Sequence, residues 1–226
     1  MTMNTRATAR TVGILFIIAT AAGLLSVALL GTQEAGRPIT DVAAHKNEIT
    51  LGALMIVIMA AAIAMIPAMM FPVLKRHNEA LALGYVINRI IEVVLLLPAA
   101  IAPLMLLAIS PGQSAGPLET LRSTYADWGT PVSAVFFCLS VFLLNYLLYR
   151  AHLVPRIISV WALVAVVPYF ADSLAVLFGV LSPTSPLHSL LIAPLALNEM
   201  ALALWLLVKG FRPSAVLAAS SASQQA

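Results

Sequence analysis

Arg89, Glu92 and Glu199 are the residues of this chain whose types and surroundings could do chemistry. All three stand inside long apolar runs, where an ionised group is expensive unless it is paired or serves a function. Arg89 and Glu92 are three residues apart, so on one helix their side chains can meet. One guanidinium then faces two carboxylates. Arginine keeps its proton, so it compensates one carboxylate and leaves the second to be protonated, hydrated or paired with something from outside. A proton, a cation or a small polar solute would fit such a place. An interhelical clamp with one neutral glutamate would have the same composition, because polar contacts commonly join membrane helices. Asn88 is adjacent to Arg89, Asn198 is adjacent to Glu199, and Asn145 falls near the same end of its own apolar run. The expected inner cluster is therefore Asn88, Arg89, Glu92, Asn145, Asn198 and Glu199.

Asp172, His188 and His45 belong nearer the opposite membrane face. Asp172 follows Pro168 by one turn, and a proline there frees the carbonyl of Val164 and favours a kink. Pro194 stands in the same relation to Asn198. Kinks beside polar groups recur in cavities for ions and substrates, yet Pro67, Pro72, Pro98 and Pro103 interrupt other runs, so proline does not single out the polar sites. No basic residue is expected at the depth of Asp172, which is read as neutral or hydrogen-bonded to a neighbouring helix. His45, Asp172 and His188 have acceptable zinc-ligand chemistry, but no two are close in sequence. Solvated interfacial histidines are the ordinary explanation, and no metal is expected. Nucleophile, metalloprotease, phosphate-loop and dinucleotide motifs are missing from the sequence, so no cofactor is expected either.

The elements that position these residues follow from composition. Of 226 residues, 62% are hydrophobic and 9% charged, against about 25% charged in an ordinary soluble domain. Mean hydropathy is +1.01. A soluble enzyme, a nucleic-acid-binding domain and a disordered chain are excluded. The net charge of +3 comes from basic residues scattered in short loops and does not call for nucleic acid. A single cysteine, Cys138 in an apolar run, gives no disulfide framework and reads as a buried inert thiol.

Six apolar stretches reach the length of about 20 residues that crosses a hydrocarbon core. They lie near Thr11–Leu30, Ile49–Leu74, Leu81–Ile109, Val132–Tyr149, Ile157–Leu181 and Leu187–Val208. They are apolar on all faces, without the alternation of barrel strands, so they must be helices. The expected fold is all-α, a polytopic bundle of six transmembrane helices in one domain over residues 1–212, with a disordered tail over 213–226. Arg6 and Arg10 before the first run resemble a secretory leader, but the run is too long and lacks a cleavage site, so it reads as an uncleaved span.

Lys and Arg set the orientation. Arg6, Arg10, Lys75, Arg76, Arg150, Arg156, Lys209 and Arg212 fall on one side of a six-span chain. The other side has Arg37, Lys46 and Arg122 against Glu34, Asp41, Glu48, Glu119 and Asp127. Both termini should be cytoplasmic. Two longer loops lie outside, from Thr32 to Glu48 and from Ser110 to Pro131. Within the second, Leu118–Trp128 reads either as a solvated loop or as a short interfacial helix with Tyr125 and Trp128 at headgroup level. Val86–Arg89 faintly echoes Ala196–Glu199 on an antiparallel span, as an inverted repeat would. Small residues at Ala19, Gly23, Ala60 and Ala64 offer close helix contacts, and the methionines of the second run fill irregular gaps.

Three stretches carry a resemblance. Leu83–Glu92 (LGYVINRIIE), Leu153–Trp161 (LVPRIISVW) and Asn198–Phe211 (NEMALALWLLVKGF), with the opening Thr5–Gly13, resemble the bacterial family called domain of unknown function 4386. The resemblance runs from about Thr5 to Phe211, and Arg89, Glu92, Pro155, Arg156, Glu199 and Lys209 match its pattern. It implies a protein of the bacterial cytoplasmic (inner) membrane and implies no activity. Three functions stay open. The chain can bind or move a small solute, ion or lipid through the Arg/Glu cluster. It can modify a lipid within the bilayer using Asp172 and His188, or it can be a structural or regulatory subunit with no site. The lipid bilayer is the one expected partner common to all three.

Overall fold

The computed structural model of the chain describes residues 5–30, 45–108, 120 and 124–212. Within them lie seven α-helices: α1 (Thr5–Leu30), α2 (Lys46–Leu74), α3 (Glu79–Leu96), α4 (Pro98–Leu107), α5 (Thr130–Arg150), α6 (Arg156–Leu177) and α7 (Pro186–Val208). A π-helical turn, Tyr125–Gly129, leads directly into α5. No strand occurs among the described residues. Counting α3 with α4 as one span, six helices are long and apolar enough to cross a membrane. The protein is an integral membrane protein whose described spans are all helices.

Local chemistry explains the helix ends. Asn78 caps α3 by accepting from the Leu81 N–H at 2.9 Å, and Ser185 caps α7 by accepting from the His188 N–H at 3.1 Å; caps of this kind contribute about 1 kcal/mol each. Beyond α7, Gly210 takes a left-handed φ of +74°, the turn glycine makes without strain. The chain then meets the connection between α5 and α6, where the Arg212 N–H donates to the Leu153 carbonyl at 2.9 Å.

The third span was expected to be continuous over Leu81–Ile109 but breaks at Leu97. Pro98 has no N–H to donate, and the Tyr125 hydroxyl hydrogen-bonds the Leu95 carbonyl at this break. The fifth span ends at Leu177 rather than Leu181, where Gly179 at φ +67° turns the chain. Tyr125 and Trp128 lie in the π-helical turn that leads into the fourth span, and most of the preceding part of the expected Leu118–Trp128 segment lies outside the described residues. Most of the expected loop from Thr32 to Glu48, the segment 109–119 and the expected disordered tail from residue 213 lie outside the described residues.

Successive spans run in opposite directions and close into a ring. α1 packs on α2, α2 on α3 and α4, α3 on α5, α5 on α6, α6 on α7, and α7 returns to α1. Outward-facing Ile18, Val57, Ile90, Phe142, Val164 and Leu197, one from each span, are all exposed. Such a surface suits acyl chains and would not suit water. Lipid tails are as apolar as leucine, so close approach and polar contacts must supply the association energy. Gly13 shows the closeness: a methyl group there would stand 2.7 Å from the Ala203 carbonyl oxygen on α7.

The interior differs along the membrane normal. At the end holding the termini, Val12 and Phe16 of α1, Ile66 and Met70 of α2, Tyr85 of α3, Leu144 and Leu148 of α5, Ile158 of α6, and Leu202 and Leu206 of α7 form one buried apolar plug. Towards the other end the described helices leave a cavity between them. That difference positions the site.

Candidate functional site

Arg89 sits on α3 one turn beyond Tyr85, where the plug ends. Its guanidinium donates through one nitrogen to both oxygens of Glu92, each at 3.1 Å. Another of its nitrogens lies 3.6 Å from Glu199 on α7. In the ring α3 stands opposite α7 rather than beside it, so this long side chain spans the interior. The guanidinium also lies over the rings of Phe137 at 5.1 Å and Tyr85 at 5.9 Å. Contact with aromatic faces offsets part of the lost hydration of a cation.

The three charged groups differ in exposure. The side chains of Arg89 and Glu92 are 3% and 8% exposed, whereas that of Glu199 is 23% exposed. The reason is a cavity of about 340 Å³ beside them. Every span contributes to its wall: Thr20 and Leu24 from α1, Met59 and Ile63 from α2, Arg89, Glu92 and Leu96 from α3, Thr130, Ser133 and Phe137 from α5, Tyr169 from α6, and Glu199 from α7. Leu24, Leu96 and Thr130 are at the helix ends remote from the termini, so the cavity extends from mid-span toward that face. Arg89 and its two glutamates form its floor, with the plug beneath. The volume would hold about eleven waters at ~30 Å³ each, or one solute near the lower limit of ligand pockets.

The asparagines do not join this group. Asn88 donates to Gly84 of its own helix at 2.8 Å and Asn145 to Val141 of its own helix at 3.0 Å. Asn198 donates across to the Ile158 carbonyl of α6 at 2.8 Å. The expected cluster of six thus reduces to Arg89, Glu92 and Glu199. Matched depth was a poor guide because a carboxamide on a helix finds a carbonyl one turn back more readily than a distant charge. The echo between Asn88 and Asn198 ends at the residue type, since one bonds within its helix and the other between helices.

Asp172 has a basic partner where none was expected. His188 Nδ1 lies 2.8 Å from Asp172 Oδ2, joining α6 to α7 near the face remote from the termini. Asp172 is fully buried and His188 is half-buried. His188 was expected to be solvated at the interface; it occupies the first turn of α7, level with Asp172. His45 lies 4.0 Å from Glu48, an exposed contact within one turn. Among the described residues no three His, Cys, Asp or Glu side chains converge as metal ligands, so His45 does not complete a site with Asp172 and His188.

Sequence reading passed over Thr20, Ser133, Phe137 and Tyr169. Hydroxyls and aromatics are common in apolar helices and carried no distinguishing pattern. Tyr85 alone gave a usable signal, because it precedes Arg89 by four residues and so shares its helix face.

Comparison with known proteins agrees with this picture at the level of the whole chain. The profile described as a domain of unknown function (DUF4386) matches residues 11–210. The chain belongs to that family. No curated protein matches the chain, and no solved structure matches it. In this DUF4386 member the matched range takes in the first span from Thr11, the other five spans whole and every residue of the charged floor.

Proposed function

We propose that this DUF4386 protein binds a small solute, and moves or senses it, in a cavity whose floor is Arg89, Glu92 and Glu199. The observation that supports this reading is a cavity of about 340 Å³ that reaches Glu199 through the middle of a six-span ring. A subunit with no site of its own would be expected to fill that interior, as the chain does at the end holding the termini. The reading treats the ring as one domain in the inner membrane of a bacterium, termini in the cytoplasm and cavity facing outward. The eight Lys and Arg residues at the terminal end favour that orientation. With Cys138 replaced, cysteine at Ser182 should then react with an impermeant thiol reagent from outside, and cysteine at Asn78 should not.

Arg89 would keep the floor polar without free charge to spare, Glu92 would hold Arg89 in place, and Glu199 would meet the solute. The test is thermal unfolding of the purified protein in lipid nanodiscs against a panel of cationic, anionic and neutral single-ring solutes. A ligand at 100 times its Kd stabilises by about 2.7 kcal/mol, which is readily seen. At least one class should raise Tm, and Glu199→Gln should abolish the rise. A panel without effect together with a cysteine at Thr20 that no small aqueous thiol reagent reaches, or an effect that survives both Glu199→Gln and Arg89→Leu, contradicts the reading.

A further inference from the structure

Resting on the binding site just proposed, we infer that its solute is a small monovalent organic cation with an apolar body. Charge supports this first. Two carboxylates share one guanidinium, and among the described residues no other cationic side chain lines the cavity. Both formal charges of Glu92 and Glu199 can be balanced only by a second positive charge or by a proton. Access supports it next. The group turned to the cavity is Glu199, at 23% side-chain exposure, while Arg89 is 3% exposed and already engaged by both glutamates. An anion would have to take Arg89 from two carboxylates and would meet Glu199 on the way. A cation meets an accessible carboxylate directly.

The wall supplies the rest of the specificity. Phe16, Met59, Ile63 and Leu96 are apolar, and Tyr169 packs against Phe137 at a centroid separation of 5.1 Å. Aromatic faces attract cations as well as apolar groups. A fully hydrated metal ion would find few oxygens here beyond Glu199 and the hydroxyls of Thr20, Thr130 and Ser133. A protonated amine on a single ring would place its charge at Glu199 and its ring against the apolar wall.

Three probes of nearly equal size separate the possibilities: 2-phenylethylammonium, 3-phenylpropionate and the neutral 3-phenylpropan-1-ol. Binding is measured on the full chain in lipid nanodiscs by equilibrium dialysis at fixed ionic strength. The ammonium should bind at least tenfold more tightly than the other two. Glu199→Gln should weaken it at least tenfold, and Asp172→Asn, outside the cavity, should leave it unchanged. If Glu199→Gln does not fold, the order of the three probes on the unsubstituted protein decides. Preference for the anion or the alcohol overturns the cation while leaving a solute site. Binding of none overturns the cation as well. In that case, reaction of cysteine at Thr20 with a small aqueous thiol reagent keeps the wider site reading, and failure of that reaction removes both.

Discussion

Arg89→Leu should destabilise the protein by about 3 kcal/mol, and adding Glu92→Leu should recover most of the loss. Two scales bracket the figure. Removing one partner of a buried ion pair costs about 3–5 kcal/mol, whereas polar contacts between membrane helices average about 0.6 kcal/mol. Arg89 makes two hydrogen bonds of 3.1 Å to a carboxylate that is 8% exposed, so the upper scale governs Glu92. With the guanidinium gone, that buried carboxylate must take up a proton, which costs an ordinary carboxylic acid about 3.7 kcal/mol at pH 7. Glu199 contributes less, because cavity water can reach it. The double variant replaces the pair by apolar volume and should lie within about 1 kcal/mol of the original, since apolar substitutes for buried pairs are often neutral. The double variant at about 1 kcal/mol less Arg89→Leu at about 3 kcal/mol leaves a coupling of at least about 2 kcal/mol, larger by whatever Glu92→Leu costs alone. Reversible unfolding in mixed micelles, on the four proteins of the cycle, measures it. Additivity within about 0.5 kcal/mol would refute the claim that Glu92 depends on Arg89.

Three further outcomes can be checked with the same assay. Gly13→Ala should destabilise by about 1–3 kcal/mol, the usual range for overpacking, because its methyl would meet backbone atoms of α7 at 2.7 and 3.0 Å; Gly23→Ala should cost less, since it meets the flexible sulfur of Met59. His188→Leu should cost about 2 kcal/mol or more by stranding buried Asp172, while Asp172→Asn keeps an acceptor for the ring and should cost under about 1 kcal/mol; the reverse order would show that the ionised form of Asp172 has another partner. Burial, and secondarily Arg76, lowers the value of His77 below the usual 6.5. The unfolded chain then binds the proton first, so stability should decline as pH falls below about 6.5, and His77→Gln should flatten the decline in Tm between pH 7.5 and 5.5.

The fold was legible because a membrane asks few questions of a sequence. Length, apolarity and the positions of Lys and Arg locate spans and imply their alternation. The break at Leu97 was less legible, since Pro67, Pro72 and Pro103 lie inside helices without ending them while Pro98 opens a new helix. What separates it is a tertiary contact from Tyr125. In the site, Arg89 with Glu92 was readable from a three-residue spacing, and Glu199 from matched depth on an antiparallel span. The asparagines misled because depth says nothing of a nearer backbone acceptor. Asp172 with His188 was hidden because span limits fix depth only coarsely and say nothing of which faces of two neighbouring helices meet. The cavity had no sequence signal, because a void arises from how a ring of side chains fails to meet.

The central claim is that water enters from one face, reaches Glu199 and stops at the apolar plug. Cysteine at Thr20, on the cavity wall, and cysteine at Met70, in the plug, test it in a background lacking Cys138. Each is exposed to a small membrane-impermeant thiol reagent from either side of the membrane in turn. The account expects cysteine at Thr20 to react from the side opposite the termini alone, and cysteine at Met70 to react from neither. Reaction of Thr20→Cys from the side of the termini, or protection of it from both, would contradict the account.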